Sequence, residues 1–176
     1  MKKLLSRLFL ILGIFLITFG IYLISLRYSP KTLTFENAVF AQSTTHSTIP
    51  TLLIIPSATI SLPVIPSSTH NNTWEITSEG VSFLSSSVKP GTPGNSVFYG
   101  HNWDNLLKNL HSVKPHDTIE IVMSDKKRMK FVVEYTAVVD PFKTEVIKNT
   151  DDTRVTIYTC TGFLDSKRFV VVAKPQ

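Results

Sequence analysis

Val155-Thr156-Ile157-Tyr158-Thr159-Cys160 and, eight residues after the sulfur, Arg168-Phe169-Val170-Val171-Val172-Ala173 are two runs of β-branched and aromatic residues at strand length. Such side chains fit a pleated surface better than a helix. If the two are adjacent strands joined by residues 161–167, Arg168 lies across the base of the loop from Cys160. Working outward, further short apolar runs cover residues 52–55, 60–65, 81–84, 96–99, 118–123 and 129–139. Turn signals separate them, such as Pro90-Gly91-Thr92-Pro93-Gly94-Asn95 and Asp140-Pro141, where proline and glycine preset or permit turn backbone. Lys126-Lys127-Arg128 reads as a solvated hairpin tip, and Pro56, Pro63 and Pro66 mark the first two runs as edge strands. Leu106, Leu107 and Leu110 share one face of a helical turn over 103–110, and a second short helix is expected near 144–148. Seven or eight strands without βαβ alternation predict an all-β fold, a closed barrel with one or two short helices.

The N-terminus is different in kind. Residues 8–24 carry no charge, and with Leu4 and Leu5 the stretch is long enough to cross a hydrocarbon core of about 30 Å as a helix. Lys2, Lys3 and Arg7 precede it, against Arg27 and Lys31 after it, which favours a cytoplasmic N-terminus. A cleaved secretory signal is the rival reading, but the small residues of Val39-Phe40-Ala41 lie far beyond the apolar run. The expected organisation is a cytoplasmic tip and single-pass transmembrane anchor over 1–28, an extracytoplasmic stalk over 29–49 and a catalytic barrel over 50–176. The chain's formal charge of +5 is no nucleic-acid footprint. Five of its 18 Lys and Arg and one of its 13 Asp and Glu precede residue 42, leaving 13 against 12 for the domain.

Cys160 is the single cysteine, so no internal disulfide can form. A thiol with a pKa of about 8.5 is only a few per cent thiolate at neutral pH, so a nucleophilic Cys160 needs a partner. An imidazole near 6.5 supplies one, the thiolate–imidazolium form amounting to about 1% of the neutral pair. Of the five histidines, His46 and His70 lie in polar stalk or loop sequence, and His111 and His116 lie about Pro115 in a turn. His101 alone directly follows a strand run and a glycine, with Trp103 beside it to limit solvent. A guanidinium such as Arg168 favours the thiolate and can donate to an oxyanion. Arg154 reads instead as an ion-pair partner of Asp151 or Asp152. A buried, inert Cys160 remains the bland alternative. The spacings contain no metal-ligand set, so no metal is expected.

Thr156-Ile157-Tyr158-Thr159-Cys160 resembles the T-L-x-T-C signature of the sortases, with Ile in place of Leu. Gly94-Asn95-Ser96-Val97-Phe98-Tyr99-Gly100-His101 is similar to their G-N-x-v-x-a-G-H block, and Arg168 matches the third family residue. The resemblance runs from about Leu52 to the C-terminus. It departs at Tyr99, where a small residue is usual, at Asn102-Trp103, at His116 before Asp117, and in the short loop from Cys160 to Arg168.

The resemblance implies a sortase-type β-barrel and a cysteine transpeptidase that cleaves the Thr–Gly or Thr–Ala bond of L-P-x-T-G-like sorting signals. Cys160 would form the thioester, His101 would exchange protons with the leaving and incoming amines, and Arg168 would hold substrate and oxyanion. Thr159 and Trp103 would line the substrate site. Implied partners are sorting-signal-bearing surface proteins, an amine acceptor such as a cell-wall precursor or pilin lysine, and the cytoplasmic membrane. No cofactor is implied. Some family members bind calcium near loop carboxylates; Glu145, Asp151 and Asp152 are the candidates here, and no calcium site is expected. The alternatives are an exported cysteine hydrolase and a catalytically silent sortase-like binding module. Papain-like enzymes place Cys before His, the reverse of this chain, and L,D-transpeptidases resemble S-x-G-C-x-R, which Thr159-Cys160-Thr161-Gly162 does not fit.

Overall fold

The computed structural model describes residues 2–27, 33, 35, 48–70 and 73–176. Helix α1 (Lys2–Arg27) contains the apolar span Ser6–Ser25, charged only at Arg7, whose 20 residues reach about 30 Å at 1.5 Å per residue. Its large apolar side chains, from Leu8 to Ile24, are exposed around the whole circumference. A helix with no polar face suits hydrocarbon, not water.

The strands are β1 (Pro50–Ile55), β2 (Ile60–Ser67), β3 (Thr69–His70), β4 (Thr73–Trp74), β5 (Val81–Leu84), β6 (Gly94–Gly100), β7 (Thr118–Met123), β8 (Arg128–Val139), β9 (Thr153–Thr161) and β10 (Lys167–Pro175). Eight of them close into a barrel in the order β1-β2-β5-β6-β9-β10-β8-β7, and β3 with β4 forms a separate ribbon. Every run expected from the sequence falls inside a barrel strand. The expected helices are single 3-10 turns, Lys108–Ser112 and Thr144–Ile147, with two more at Pro56–Ala58 and Phe163–Asp165. Lys126 and Lys127 sit exposed in the tight connection from β7 to β8, as a hairpin tip should.

The prolines do not mark sheet edges. β1 lies between β2 and β7, and β2 lies between β1 and β5. Residues 60–63 of β2 pair with β1, and residues 64–67 pair with β5. Each half of the strand thus needs ladder bonds on one side only, so the missing N–H groups of Pro63 and Pro66 are tolerated without an open edge.

Both faces of β6, β9 and β10 are buried, which explains the unbroken Val170-Val171-Val172 run. Inside the barrel, Phe83, Phe98, Ile157, Phe169 and Val171 pack with Leu107 and Leu110 from the 103–112 segment. On the outer face, Tyr99, Tyr158, Val170 and Val172 pack under Trp74, Ile147, Leu33 and Phe35. Each fully buried side chain of this size contributes about 1.5–3 kcal/mol. Within the segment expected to be a stalk, Leu33 and Phe35 are buried on this outer face, and Leu33 O accepts a hydrogen bond from Tyr158 Oη at 3.1 Å. His46 and most of that segment lie outside the described residues.

Asn95 ties the start of β6 in place. Its Nδ2 donates to Val146 O and Lys148 O, both at 3.1 Å, and its Oδ1 accepts from Thr156 Oγ1 at 2.8 Å. Gly94 precedes it at φ 124°, with Asn149 Oδ1 only 2.4 Å from where a Cβ would stand. Removing the Asn95 amide takes the side-chain donor from Lys148 O and leaves Thr156 Oγ1 and Val146 O with only their mutual bond of 3.3 Å. Asn95→Ala is therefore expected to destabilise the barrel by about 2–4 kcal/mol, read as a lowered urea midpoint at unchanged slope.

Candidate active site

Strand register assembles the site. β6 and β9 run parallel with Gly100 opposite Thr159, so the next residues are His101, one step past the end of β6, and Cys160 on β9. β9 and β10 run antiparallel with Arg168 directly opposite Cys160. Residues of one strand alternate between faces, and opposed residues on neighbouring strands share one. Tyr99 and Tyr158, two positions back from His101 and Cys160, stack on the outer face at 5.6 Å and 15°. His101, Cys160 and Arg168 therefore stand at one level on that face, on strands about 4.8 Å apart.

Each is held. His101 O accepts from Leu107 N at 3.1 Å, and the imidazole stacks on Trp103 at 4.1 Å with 6° between the planes. Trp103 O in turn accepts from Leu106 N and Lys108 N at 2.9 and 3.2 Å, and Leu107 and Leu110 root this turn in the barrel interior. Burial holds the His101 imidazole below its ordinary pKa, while the Asp165 carboxylate pulls it upward. Arg168 is 3% exposed, and its Nη1 donates to Asp165 O and Lys167 O, both at 3.0 Å. Cys160 is likewise 3% exposed. Burial raises the Tyr158 phenol far above its usual value, with the Arg168 charge opposing this. The loop between Cys160 and Arg168 is tightly wound, with Gly162, Leu164 and Asp165 at φ 81°, 51° and 59°.

The structure thus brings His101, Cys160, Arg168 and Trp103 together. Thr159 lies on the opposite, interior face, fully buried, where its Oγ1 donates to Gly100 O at 2.8 Å and clamps β6 to β9. His111 and His116 are exposed, and His111 tilts against Phe169 at 4.7 Å. Among the described residues no three His, Cys, Asp or Glu side chains gather as metal ligands. Asp152 is engaged instead by Arg154, through two bonds of 2.8 and 2.7 Å, and by Lys174 at 3.3 Å.

Sequence reasoning missed Asp165 and the aromatic bed of Tyr99, Tyr158 and Trp74. Asp165 is the single carboxylate between Cys160 and Arg168, and that position was the available signal. A thiol, an imidazole and a guanidinium at one level are the residue types that could serve as nucleophile, proton carrier and oxyanion donor in acyl transfer.

Residues 53–176 match the Sortase domain family. The chain belongs to the sortase family. It is 31% identical over 121 residues to "Sortase A" of Bacillus anthracis, an alignment covering 66% of this chain and 55% of that protein. The chain therefore spans just over half the length of that relative. Among solved structures, it superposes on a lid mutant of sortase A from Corynebacterium diphtheriae with a TM-score of 0.63 at 27% identity, over 80% of this chain and 73% of that one. Sortase A of Listeria monocytogenes gives 0.60 at 26% identity, over 74% and 88% respectively. The sortase match begins within β1, so it takes in the strands that carry His101, Cys160 and Arg168.

Proposed function

We propose that this sortase is a membrane-anchored cysteine transpeptidase that acts on L-P-x-T-G-like sorting signals outside the cytoplasmic membrane. Residues 1–28 form the tip and anchor, with the N-terminus cytoplasmic, and residues 50–176 the catalytic barrel. The observation that carries the reading is the register that aligns His101, Cys160 and Arg168 on one face of three adjacent strands.

The Cys160 thiolate attacks the carbonyl carbon of the signal's Thr, and Arg168 donates to the resulting oxyanion. As the carbon–nitrogen bond breaks, His101 delivers its proton to the departing amine, leaving a Cys160 thioester. An incoming amine, from a cell-wall precursor or a surface-protein lysine, gives its proton to His101 and attacks the thioester. A new amide forms and the thiolate departs. Burial lowers the His101 pKa and so depletes the imidazolium, while the Asp165 carboxylate opposes that shift, which makes Asp165 a positioning residue for this step.

The test incubates the purified full chain with a panel of sorting-signal peptides and weighs the intact protein. A mass increase equal to the acyl fragment ending in Thr, mapped to Cys160 and discharged by added amine, is the expected result. A wild-type chain that never acquires such an adduct from any peptide in the panel would end this reading. If the adduct forms and added amine leaves turnover unchanged, the enzyme is a hydrolase.

A further inference from the structure

We propose that the rim formed by Val138, Phe142, Phe163 and Leu164 docks on the lipid–water interface of the membrane that α1 spans. This rests on the reading of α1 as an anchor. These side chains are 60%, 65%, 84% and 44% exposed, and among the described residues of the barrel the only other exposed large apolar side chain is Tyr135. Tyr135 apart, the exposed large apolar side chains of the barrel are therefore gathered at one end of it, and such clustering marks an interaction site.

That end is the one bearing His101, Cys160 and Arg168. β8 finishes at Val139 opposite Arg168, and Phe142 follows it. Phe163 and Leu164 lie in the turn between β9 and β10. Lys167 Nζ donates to Asp140 Oδ1 at 2.7 Å and ties the two loops together. Leu164 is held at φ 51°, an uncommon conformation for a bulky residue, and such strain clusters at functional surfaces.

The chain itself identifies the occupant. α1 ends at Arg27, and Leu33 is already buried on the barrel, bonded through its carbonyl to Tyr158, two residues from Cys160. Six residue steps span at most about 20 Å. Leu33, seated on the outer face of the strand that carries Cys160, is thus tethered within about 20 Å of the end of α1, less than the length of α1 itself. The turn Phe163–Asp165 also lies against α1. Lys143, Lys167, Asp140 and Asp165 mix both signs around the rim, which suits the bilayer interface, where aromatic side chains concentrate, better than a polyanion.

The full chain carrying Phe163→Trp, and separately Phe142→Trp, would be reconstituted into phosphatidylcholine–phosphatidylglycerol vesicles with acyl chains brominated near the headgroup. Tyr135→Trp, on β8 away from the rim, is the control. The expected result is that emission added by the two rim variants falls at least twofold in brominated lipid, while that added by the control does not. The docking is overturned if the rim tryptophans stay bright in brominated lipid and are quenched by aqueous iodide while the chain resists carbonate extraction. It is equally overturned if their emission changes with protein density instead of lipid bromination, which would mean a second copy covers the rim. Extraction by carbonate would instead remove the anchor, and the docking with it.

Discussion

Cys160→Ala is expected to abolish peptide cleavage and amine transfer, a loss of at least about 10⁴-fold, while the barrel still folds. Alanine removes one sulfur from the outer cluster of Tyr158, Val170 and Val139, so the packing cost is small beside the hydrophobic faces that hold β9 on both sides. The proposed chemistry, by contrast, has no second nucleophile to fall back on. Cys160→Ser sharpens the test, because a hydroxyl fills the same space but is not ionised by a neighbouring imidazole. It is expected to retain the wild-type melting temperature within a few degrees and still lose at least about 10³-fold in turnover. Chromatographic product analysis and thermal unfolding on the same samples separate the outcomes. If either variant turns over within tenfold of wild type, Cys160 is not the nucleophile.

The barrel was largely legible because its signals are local. β-Branched and aromatic runs, separated by turn or polar residues, identify eight strands, and all eight pair into the observed sheet. Their neighbours were less legible. The parallel pairings of β6 with β9 and of β2 with β5 join segments far apart in the chain, and no local pattern encodes them. That is why His101 had to be placed beside Cys160 by resemblance, while Arg168 followed from a seven-residue connection. The prolines misled for a physical reason: a strand that changes partners midway is a local edge on each half, although the sheet is closed. Tyr99 departs from the small residue usual in the family, and the outer cluster shows how it fits. Its hydroxyl donates to Glu75 O at 2.6 Å, and its ring packs edge-on to Trp74 at 5.0 Å. Trp74 belongs to a ribbon outside the barrel, so composition alone gave no sign of it. Thr159 drew attention through its place beside Cys160, but strand alternation turns its hydroxyl to the interior, where it bonds Gly100.

Arg168→Ala is expected to lower kcat/KM by about 10²–10³-fold, the size measured for loss of one oxyanion donor elsewhere, with most of the loss in kcat. The argument starts from how the guanidinium is held. A side chain 3% exposed, with Nη1 bonded to Asp165 O and Lys167 O, is fixed before substrate arrives, and preorganised donors contribute most where charge develops. A group that gripped the bound peptide equally in ground and transition states would change KM and leave kcat alone. Arg168→Lys separates charge from shape. Lysine keeps the cation but lacks the planar fork needed to bond two loop carbonyls while still presenting donors to the oxyanion. It is expected to recover no more than about tenfold over alanine. Loss of those carbonyl partners also loosens the loop, at a cost of about 1–3 kcal/mol, so rates must be taken well below each variant's unfolding transition. Millimolar guanidinium added to Arg168→Ala gives the final discrimination, because a free cation can refill the cavity and restore kcat without restoring the loop's covalent anchor. A variant whose kcat is unchanged and whose KM alone rises would assign Arg168 to peptide binding and move the oxyanion donor elsewhere on the β9–β10 face.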